Sequence, residues 1–75
     1  MTKVEVFKKN IELEIKIKEG MMNRAVDSIK SCIDNDLVIF ANQILSNAEE
    51  LSELKKEIGN LRSMLNLLTA IEESE

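Results

Sequence analysis

Apolar residues recur at a helical period through the first half of the chain. The positions of this first stripe lie three or four residues apart and are Val4, Phe7, Ile11, Ile15, Lys18, Met22, Val26, Ile29 and Ile33. Only Lys18 among them is polar, so the spacing predicts one helix over about residues 3–33. Between Ile11 and Lys18 the residues also alternate apolar and charged, which is typical of a strand. We favour the helix because its period continues on both sides and no turn residue bounds the segment.

The second half follows a seven-residue repeat, which predicts a second helix over about residues 37–72. One core position of the repeat holds Leu37, Ile44, Leu51, Ile58 and Leu65, and the other holds Phe40, Asn47, Leu54, Leu61 and Leu68. Asn47 is the one polar residue in this set. A buried asparagine lowers the stability of a coiled coil but fixes its register, and we interpret Asn47 in that way. A contact between Asn47 and a partner is the alternative.

Asp34, Asn35 and Asp36 form the one cluster of turn and N-cap residues in the chain. They predict a turn over about residues 34–36, with one of the three capping the second helix. A connection this short makes the two helices antiparallel neighbours. The predicted fold is all-α, a single domain over residues 1–75 in the form of a two-helix antiparallel coiled-coil hairpin. Dimerisation of the hairpin into a four-helix bundle is a further option.

Folding the chain about residue 35 pairs the two apolar stripes along their whole length. The expected neighbours are Ile15 with Leu54, Ile11 with Ile58, Phe7 with Leu61, Val26 with Ile44, and Asn47 with Met22 and Asn23. Lys18 then lies opposite Leu51, and its long side chain is expected to reach Glu49, Glu53 or solvent.

Some apolar residues are left over outside the paired stripes. On the first helix they are Val6, Leu13, Ile17 and Met21, which lie nearly opposite the core stripe at about 100° per residue. On the second helix they are Met64, Leu67 and Ile71, which antiparallel pairing brings to the same open end of the hairpin as Val6. A hairpin of this size buries little apolar area, so we expect something to cover these residues. The alternatives are a second copy, a short helix of the same chain, or another protein.

Composition narrows the range of functions. The chain has no histidine, tryptophan or tyrosine, and its formal net charge is -4. Without histidine it lacks the commonest catalytic base and a common zinc ligand, so we expect no enzyme activity and no metal or other cofactor. The negative charge and the lack of stacking aromatic residues argue against nucleic-acid binding.

Further sequence features indicate a cytoplasmic protein. The longest apolar run, Leu37–Ala41, is far shorter than the roughly 20 residues of a membrane span. The first half is mildly basic but the remainder is acidic, which argues against contact with a membrane surface. Cys32 is the one cysteine, which excludes an intramolecular disulfide and fits a reducing compartment.

Two acidic segments have part of the pattern of a metal site, but neither has the full set of ligands. Asp34-Asn35-Asp36 resembles the start of a calcium loop, but the glycine and the glutamate that such a loop needs at its sixth and twelfth positions are missing. Glu49, Glu50, Glu53 and Glu57 lack the histidines of a di-iron bundle, so we interpret them as a solvated face.

Two segments resemble a known family. The first runs from Leu13 to Asn23 and contains Lys18-Glu19-Gly20, with Asn23 three residues beyond the glycine. The second contains the pair Ser46-Asn47, followed by Leu51 and Leu54. Together they resemble the Rho-effector homology-region-one repeat found in protein kinase N, rhophilin and rhotekin. The resemblance implies an antiparallel coiled-coil finger that binds GTP-loaded Rho-type small GTPases without catalysis.

The expected function is therefore that of a protein-interaction module in cytoplasmic signalling, with a GTP-loaded Rho-family GTPase as the first candidate partner. Leu13 and Ile17 are the expected central anchors, and Lys16 and Arg24 the expected rim charges. The full set of candidate partner-binding residues is Val6, Leu13, Lys16, Ile17, Met21, Arg24, Met64, Leu67 and Ile71. The alternative is a small coiled-coil scaffold or regulator that acts as a homo-oligomer.

Overall fold

The computed structural model describes residues 2–35 and 41–74, which form two long helices packed side by side. Helix α1 spans Lys3–Asp34 and helix α2 spans Ala41–Ser74. The molecule measures 56 × 17 × 13 Å, about the length of one helix and the width of two. No strand occurs in the described part of the chain, and Ile11–Lys18 is helical throughout. The all-α hairpin is thus confirmed, and the strand alternative for this segment is wrong.

Polar side chains close both ends of α1. Thr2 is the N-cap, and its hydroxyl accepts a hydrogen bond from the backbone N–H of Glu5 at 3.1 Å. The carboxylate of Glu5 also lies in the first turn, where the helix dipole favours a negative charge. At the other end Asn35 donates to the carbonyl of Ser31 from both its backbone N–H, at 3.1 Å, and its side-chain amide, at 2.8 Å.

This ending of α1 corrects the predicted turn. Asp34 is the last residue of α1, and Asn35 is its C-cap. The residues that precede α2 lie outside the described ranges, so the prediction that Asp34, Asn35 or Asp36 caps the second helix stays a prediction. Asp36 and the first two positions of the seven-residue repeat, Leu37 and Phe40, lie outside the described residues.

The core between the helices is small. In the described ranges the buried residues are Ile11, Ile15, Ala25, Asn47, Leu54 and Ile58. Its centre is a cluster of Ile11, Ile15 and Ile58, against which Met22, Leu61, Leu65 and Leu68 pack while partly exposed. No described side chain is less than 2% exposed. The interface between the two helices, which we call the seam, therefore consists mainly of half-buried side chains. No described part of it is fully shielded from solvent.

Both predicted stripes face this seam, with two exceptions on α1. Phe7 and Ile33 were expected in the core but are 48% and 65% exposed. Each lies near one end of α1. In the second half of α1, Ala25 is buried while its neighbour Val26 is only half-buried. The buried line moves round the helix there because a straight α-helix drifts against a seven-residue repeat.

The pairing of the two helices differs from the predicted register. Lys18 Nζ lies 2.9 Å from a carboxylate oxygen of Glu57, and Asn47 Nδ2 lies 2.9 Å from Ser28 Oγ. These two pairs are symmetric about a point between residues 37 and 38, and the pairs Lys8–Glu72 and Glu19–Arg62 about a point near residue 40, whereas the prediction folded the chain about residue 35. Lys18 consequently meets Glu57 and not Leu51, which is six residues earlier in the sequence.

The core partners change only in part. Ile11 and Ile58, an expected pair, belong to one cluster with Ile15, and Leu54, the expected neighbour of Ile15, lies outside it. Asn47 lies opposite Ser28 and not opposite Met22 and Asn23. A slip of nearly one heptad keeps every apolar position of α2 on the seam, which is why the pattern alone did not exclude it.

Candidate protein-binding face

Two shallow grooves between the helices mark the two sides of the hairpin. The first is lined by Met21, Arg24, Ala25, Ser28, Asn47 and Glu50, and the second by Glu19, Met22, Lys55, Ile58, Gly59 and Arg62. At about 100° per residue, Met21 and Glu19 lie roughly 160° apart around α1, so the grooves are on opposite sides.

The leftover apolar residues lie on the side of the first groove. On α1, Val6, Leu13 and Ile17 lie within about 80° of Met21 around the helix. On α2, the three leftover residues lie within about 100° of Glu50, which lines the same groove. The sequence prediction had placed the α2 residues at the same open end of the hairpin as Val6. We call this surface the apolar face: Val6, Phe7, Leu13, Ile17, Met64, Leu67 and Ile71.

These side chains are well exposed in the isolated hairpin. Each member of the apolar face is between 40 and 62% exposed, and Met21 at its edge is half-buried. Val6 and Phe7 line a further depression at the open end, together with the polar residues Thr2, Lys3 and Asn10. The hairpin thus presents large apolar side chains from both helices on one side.

Phe7 is a member of this face that the sequence argument missed. Its spacing placed it in the core stripe, but it lines the same depression as Val6. Phe7 lies in the second turn of α1, at the open end of the hairpin. This position could have indicated from the sequence that its side chain is exposed. A stripe residue near a free helix end has few neighbours to cover it.

The two predicted rim charges are placed differently. Arg24 lines the first groove beside Met21, so it adjoins the apolar face. Lys16 is exposed and follows Leu13 by three residues, which puts it on the outer surface of α1, away from α2. The structure therefore brings Arg24 and Met21 together and leaves Lys16 at the outer margin.

The opposite side of the hairpin is polar. Arg62 on α2 and Glu19 on α1 form an exposed ion pair at 3.7 Å across it. Lys55 and Gly59 line the groove beside them. Exposed ion pairs stay solvated and add little stability. The charged side chains of this side can therefore remain in contact with water, without a covering partner. The hairpin therefore differs between its two sides, with the apolar face on one and these charged residues on the other.

Two lysines join the helices along the seam. Lys8 Nζ lies 2.6 Å from Glu72, and Lys18 Nζ lies 2.9 Å from Glu57 and 3.5 Å from Glu14. The hydrogen bond to Glu72 is the main cause that raises the pKa of Lys8 above its ordinary value, and the hydrogen bond to Glu57 does the same for Lys18. The prediction that Lys18 reaches Glu49 or Glu53 is wrong, because the changed register offers it Glu57.

Three further features of the described ranges concern metal binding, the cysteine thiol and membrane insertion. Residues 2–35 and 41–74 contain no group of three or more acidic or cysteine side chains with the geometry to hold a metal ion. Cys32 is a free, half-buried thiol on α1. Neither α1 nor α2 contains a stretch apolar enough, over sufficient length, to cross a membrane.

Comparisons with protein-family models, with curated proteins and with solved structures find no match to this chain. The similarity to the Rho-effector repeat rests on the two segments quoted above and stays a prediction.

Proposed function

We propose that this chain is a protein-interaction module that binds its partner through the apolar face. The observation that carries the proposal is that seven of the nine large apolar side chains exposed in the described ranges belong to the apolar face, the other two being Ile33 and Leu45. Contiguous apolar patches on a small protein are typical of interaction sites. The polar side, with its Glu19–Arg62 pair, is suited to remain in solvent.

The first partner to test is a GTP-loaded Rho-family GTPase, which the resemblance of Leu13–Asn23 and Ser46–Leu54 suggests. Leu13 and Ile17 offer apolar anchors on α1, 58% and 48% exposed. Arg24 offers a positive charge beside them for acidic side chains of a partner. Switch segments of such GTPases are ordered by the γ-phosphate, so binding through them depends on the nucleotide.

The test is titration of the chain against several Rho-family GTPases, each loaded with a non-hydrolysable GTP analogue or with GDP. The proposal predicts binding to the GTP form of at least one of them and weaker binding to its GDP form. Ile17→Ala should speed dissociation, and Arg24→Glu should slow association and reduce the salt dependence. Equal affinity for both nucleotide forms, or no binding to any GTPase, removes this partner.

Leu45 provides a matched control for the face. It is 62% exposed, as is Leu67, but it lies 22 residues before Leu67 on α2, about 33 Å away along the helix axis and outside the apolar face. Leu67→Ala should weaken binding, whereas Leu45→Ala should leave it unchanged. A second candidate function, assembly of the chain with itself, is favoured by the small size of the core.

A further inference from the structure

We infer that the outer surface of α1, the one turned away from α2, binds to an anionic lipid bilayer, with the helix lying along the headgroups. We call this surface the basic face. Its cations are Lys3, Lys9, Lys16 and Arg24, and the apolar residues among them are Val6, Leu13 and Ile17. The inference uses α1 alone and goes beyond the proposed function, which concerns a protein partner.

The apolar residues of the basic face form a stripe on one helix. At about 100° per residue, Val6, Leu13 and Ile17 lie within about 40° of one another around α1. Their common direction is roughly 160° from that of the buried Ile11 and Ile15. They are 45, 58 and 48% exposed. Because all three come from the same helix, they form one surface whatever the position of α2.

The charge around this stripe has one sign. The four cations are exposed, and none of them forms an ion pair within the described ranges. They lie in a sector of about 140° around α1, bounded by Lys16 and Lys3, which contains no acidic residue over positions 2–24. Glu14 lies just outside this sector and is paired with Lys18 at 3.5 Å. The basic face is therefore complementary to an anionic surface.

The acidic residues of the chain lie elsewhere. On the outer surface of α2 the exposed charges are Glu49, Glu53 and Lys56. Since packed helix axes are about 8–10 Å apart, these charges lie roughly 20 Å behind the basic face, beyond a Debye length of about 8 Å. The net charge of -4, and the acidic second half that had argued against a membrane surface, therefore act only weakly at the basic face.

The form of the basic face favours a bilayer over an acidic protein. Lys3 and Arg24 are about 32 Å apart along α1, with the apolar stripe between them and lysines at its margins. In a helix that lies in the interface, the apolar stripe enters the acyl boundary and the long basic side chains reach the phosphates. A flat anionic surface meets all four cations at once. A protein would have to present matching carboxylates over the same length.

The test is co-sedimentation of the whole chain with vesicles of equimolar phosphatidylcholine and phosphatidylserine, and with vesicles of phosphatidylcholine alone. We expect binding to the mixed vesicles that weakens as salt is added, and much weaker binding to phosphatidylcholine. No binding to the mixed vesicles at low salt would overturn the inference.

A matched pair of lysines localises the charge effect. Lys16→Gln should weaken binding to the mixed vesicles about fivefold. Lys56→Gln makes the same change of net charge at an exposed lysine on the outer surface of α2, and should leave binding unchanged. Both side chains are exposed, so circular dichroism should show unchanged helicity. Equal weakening by the two variants would mean that only net charge matters, and would overturn the basic face as the site.

A matched pair of leucines tests which side enters the lipid. Leu13 and Leu67 are 58 and 62% exposed, on α1 and α2. In a Cys32→Ser background, Leu13→Cys and Leu67→Cys each take a polarity-sensitive fluorophore. Its emission should shift to the blue with the mixed vesicles at position 13 and stay unchanged at position 67. A shift at 67 alone, or at neither position, would overturn the inference.

The outcomes separate this inference from the proposed function. Vesicle binding that depends on Lys16, without binding to any GTP-loaded Rho-family GTPase, leaves the basic face in place and removes the GTPase. Binding to a GTPase that is weakened by Lys16→Gln, without binding to the mixed vesicles, assigns the basic face to an acidic protein and overturns the lipid surface.

Discussion

Asn47 on α2 donates a hydrogen bond from Nδ2 to the hydroxyl oxygen of Ser28 on α1, across the seam at 2.9 Å. Gln43 also approaches Asn47, with its amide nitrogen 3.4 Å from Asn47 Oδ1. The buried asparagine is thus provided with partners at this register. A slip of the helices would leave its amide facing apolar side chains, at a cost that favours the observed pairing.

We therefore expect the double variant Ser28→Ala, Asn47→Leu to be more stable but less specific. The apolar pair removes two polar groups from the seam, so the thermal midpoint should rise while helicity stays unchanged. Register should become mixed, measured by disulfide trapping between cysteines at 15 and 58, which share the core cluster, in a Cys32→Ser background. If the disulfide forms as completely in the double variant as in the protein that keeps Ser28 and Asn47, then Asn47 does not set the register.

Cysteine pairs also test the register directly. With Cys32→Ser as background, cysteines at 28 and 47 should form a disulfide within one chain, because these side chains are in contact. Cysteines at 15 and 54, neighbours in the register predicted from the sequence, should form it far more slowly. The reverse order of rates would contradict the observed pairing.

Leu54 is 4% exposed, so truncation should be costly. Leu54→Ala should lower the free energy of unfolding by about 2–4 kcal/mol, as for other large-to-small changes at buried positions. Leu45→Ala, at an exposed leucine of the same helix, should change it by less than about 0.5 kcal/mol. Urea titrations at one fixed protein concentration measure both, and similar losses for the two variants would mean that Leu54 is not in the core.

The glycines of the helices are sites for stabilisation. A methyl group at Gly20 or Gly59 would meet nothing within 4 Å, so neither position needs glycine for packing. Gly20→Ala and Gly59→Ala should each stabilise the hairpin by up to about 1 kcal/mol, through higher helix propensity. Thermal unfolding measures this gain. A destabilised variant would indicate a close approach at that position in the assembled state.

Lys18 gives the hairpin an alkaline limit. Its pKa is raised above 10.5 in the folded state, chiefly by the hydrogen bond to Glu57, so folding favours the protonated form. The resulting stabilisation is fully present below the unfolded-state pKa of about 10.4 and is lost as the pH rises through the folded-state value. Lys18→Met should flatten this part of the stability profile, measured against pH by urea titration. An unchanged slope above pH of about 10 would show that the Lys18–Glu57 pair does not contribute.

The helices were predictable from the sequence, but their relative position was not. Apolar spacing identified α1 and α2 because hydrophobic periodicity reports which side of a helix is covered. The register depends on where the chain turns. Asp34 and Asn35 have the residue types of a turn and of an N-cap, yet they end α1. A later midpoint moves a partner by about twice the displacement, as for Lys18, which meets Glu57, six residues beyond the expected Leu51.

The candidate face was also predictable in outline. Leu13, Ile17 and Leu67 were identified because their positions on the helical wheel lie away from the seam, and all three are exposed. Phe7 was not, because periodicity treats every turn of a helix as equally covered and takes no account of the hairpin ends. Nothing in the wheel indicates which molecule covers the face, since apolar side chains carry little information on partner identity.

The most direct measurement of the central claim is the solvent access of leucine methyl groups in solution, from their relaxation by a neutral paramagnetic cosolute. Leu67 and Leu45 are equally exposed in the isolated hairpin, at 62%. If the apolar face is an interaction surface, the methyl groups of Leu67 should be protected at high protein concentration and become accessible on dilution, while those of Leu45 stay accessible throughout. Equal relaxation of both leucines at every concentration, and with each GTP-loaded partner added, would contradict the claim.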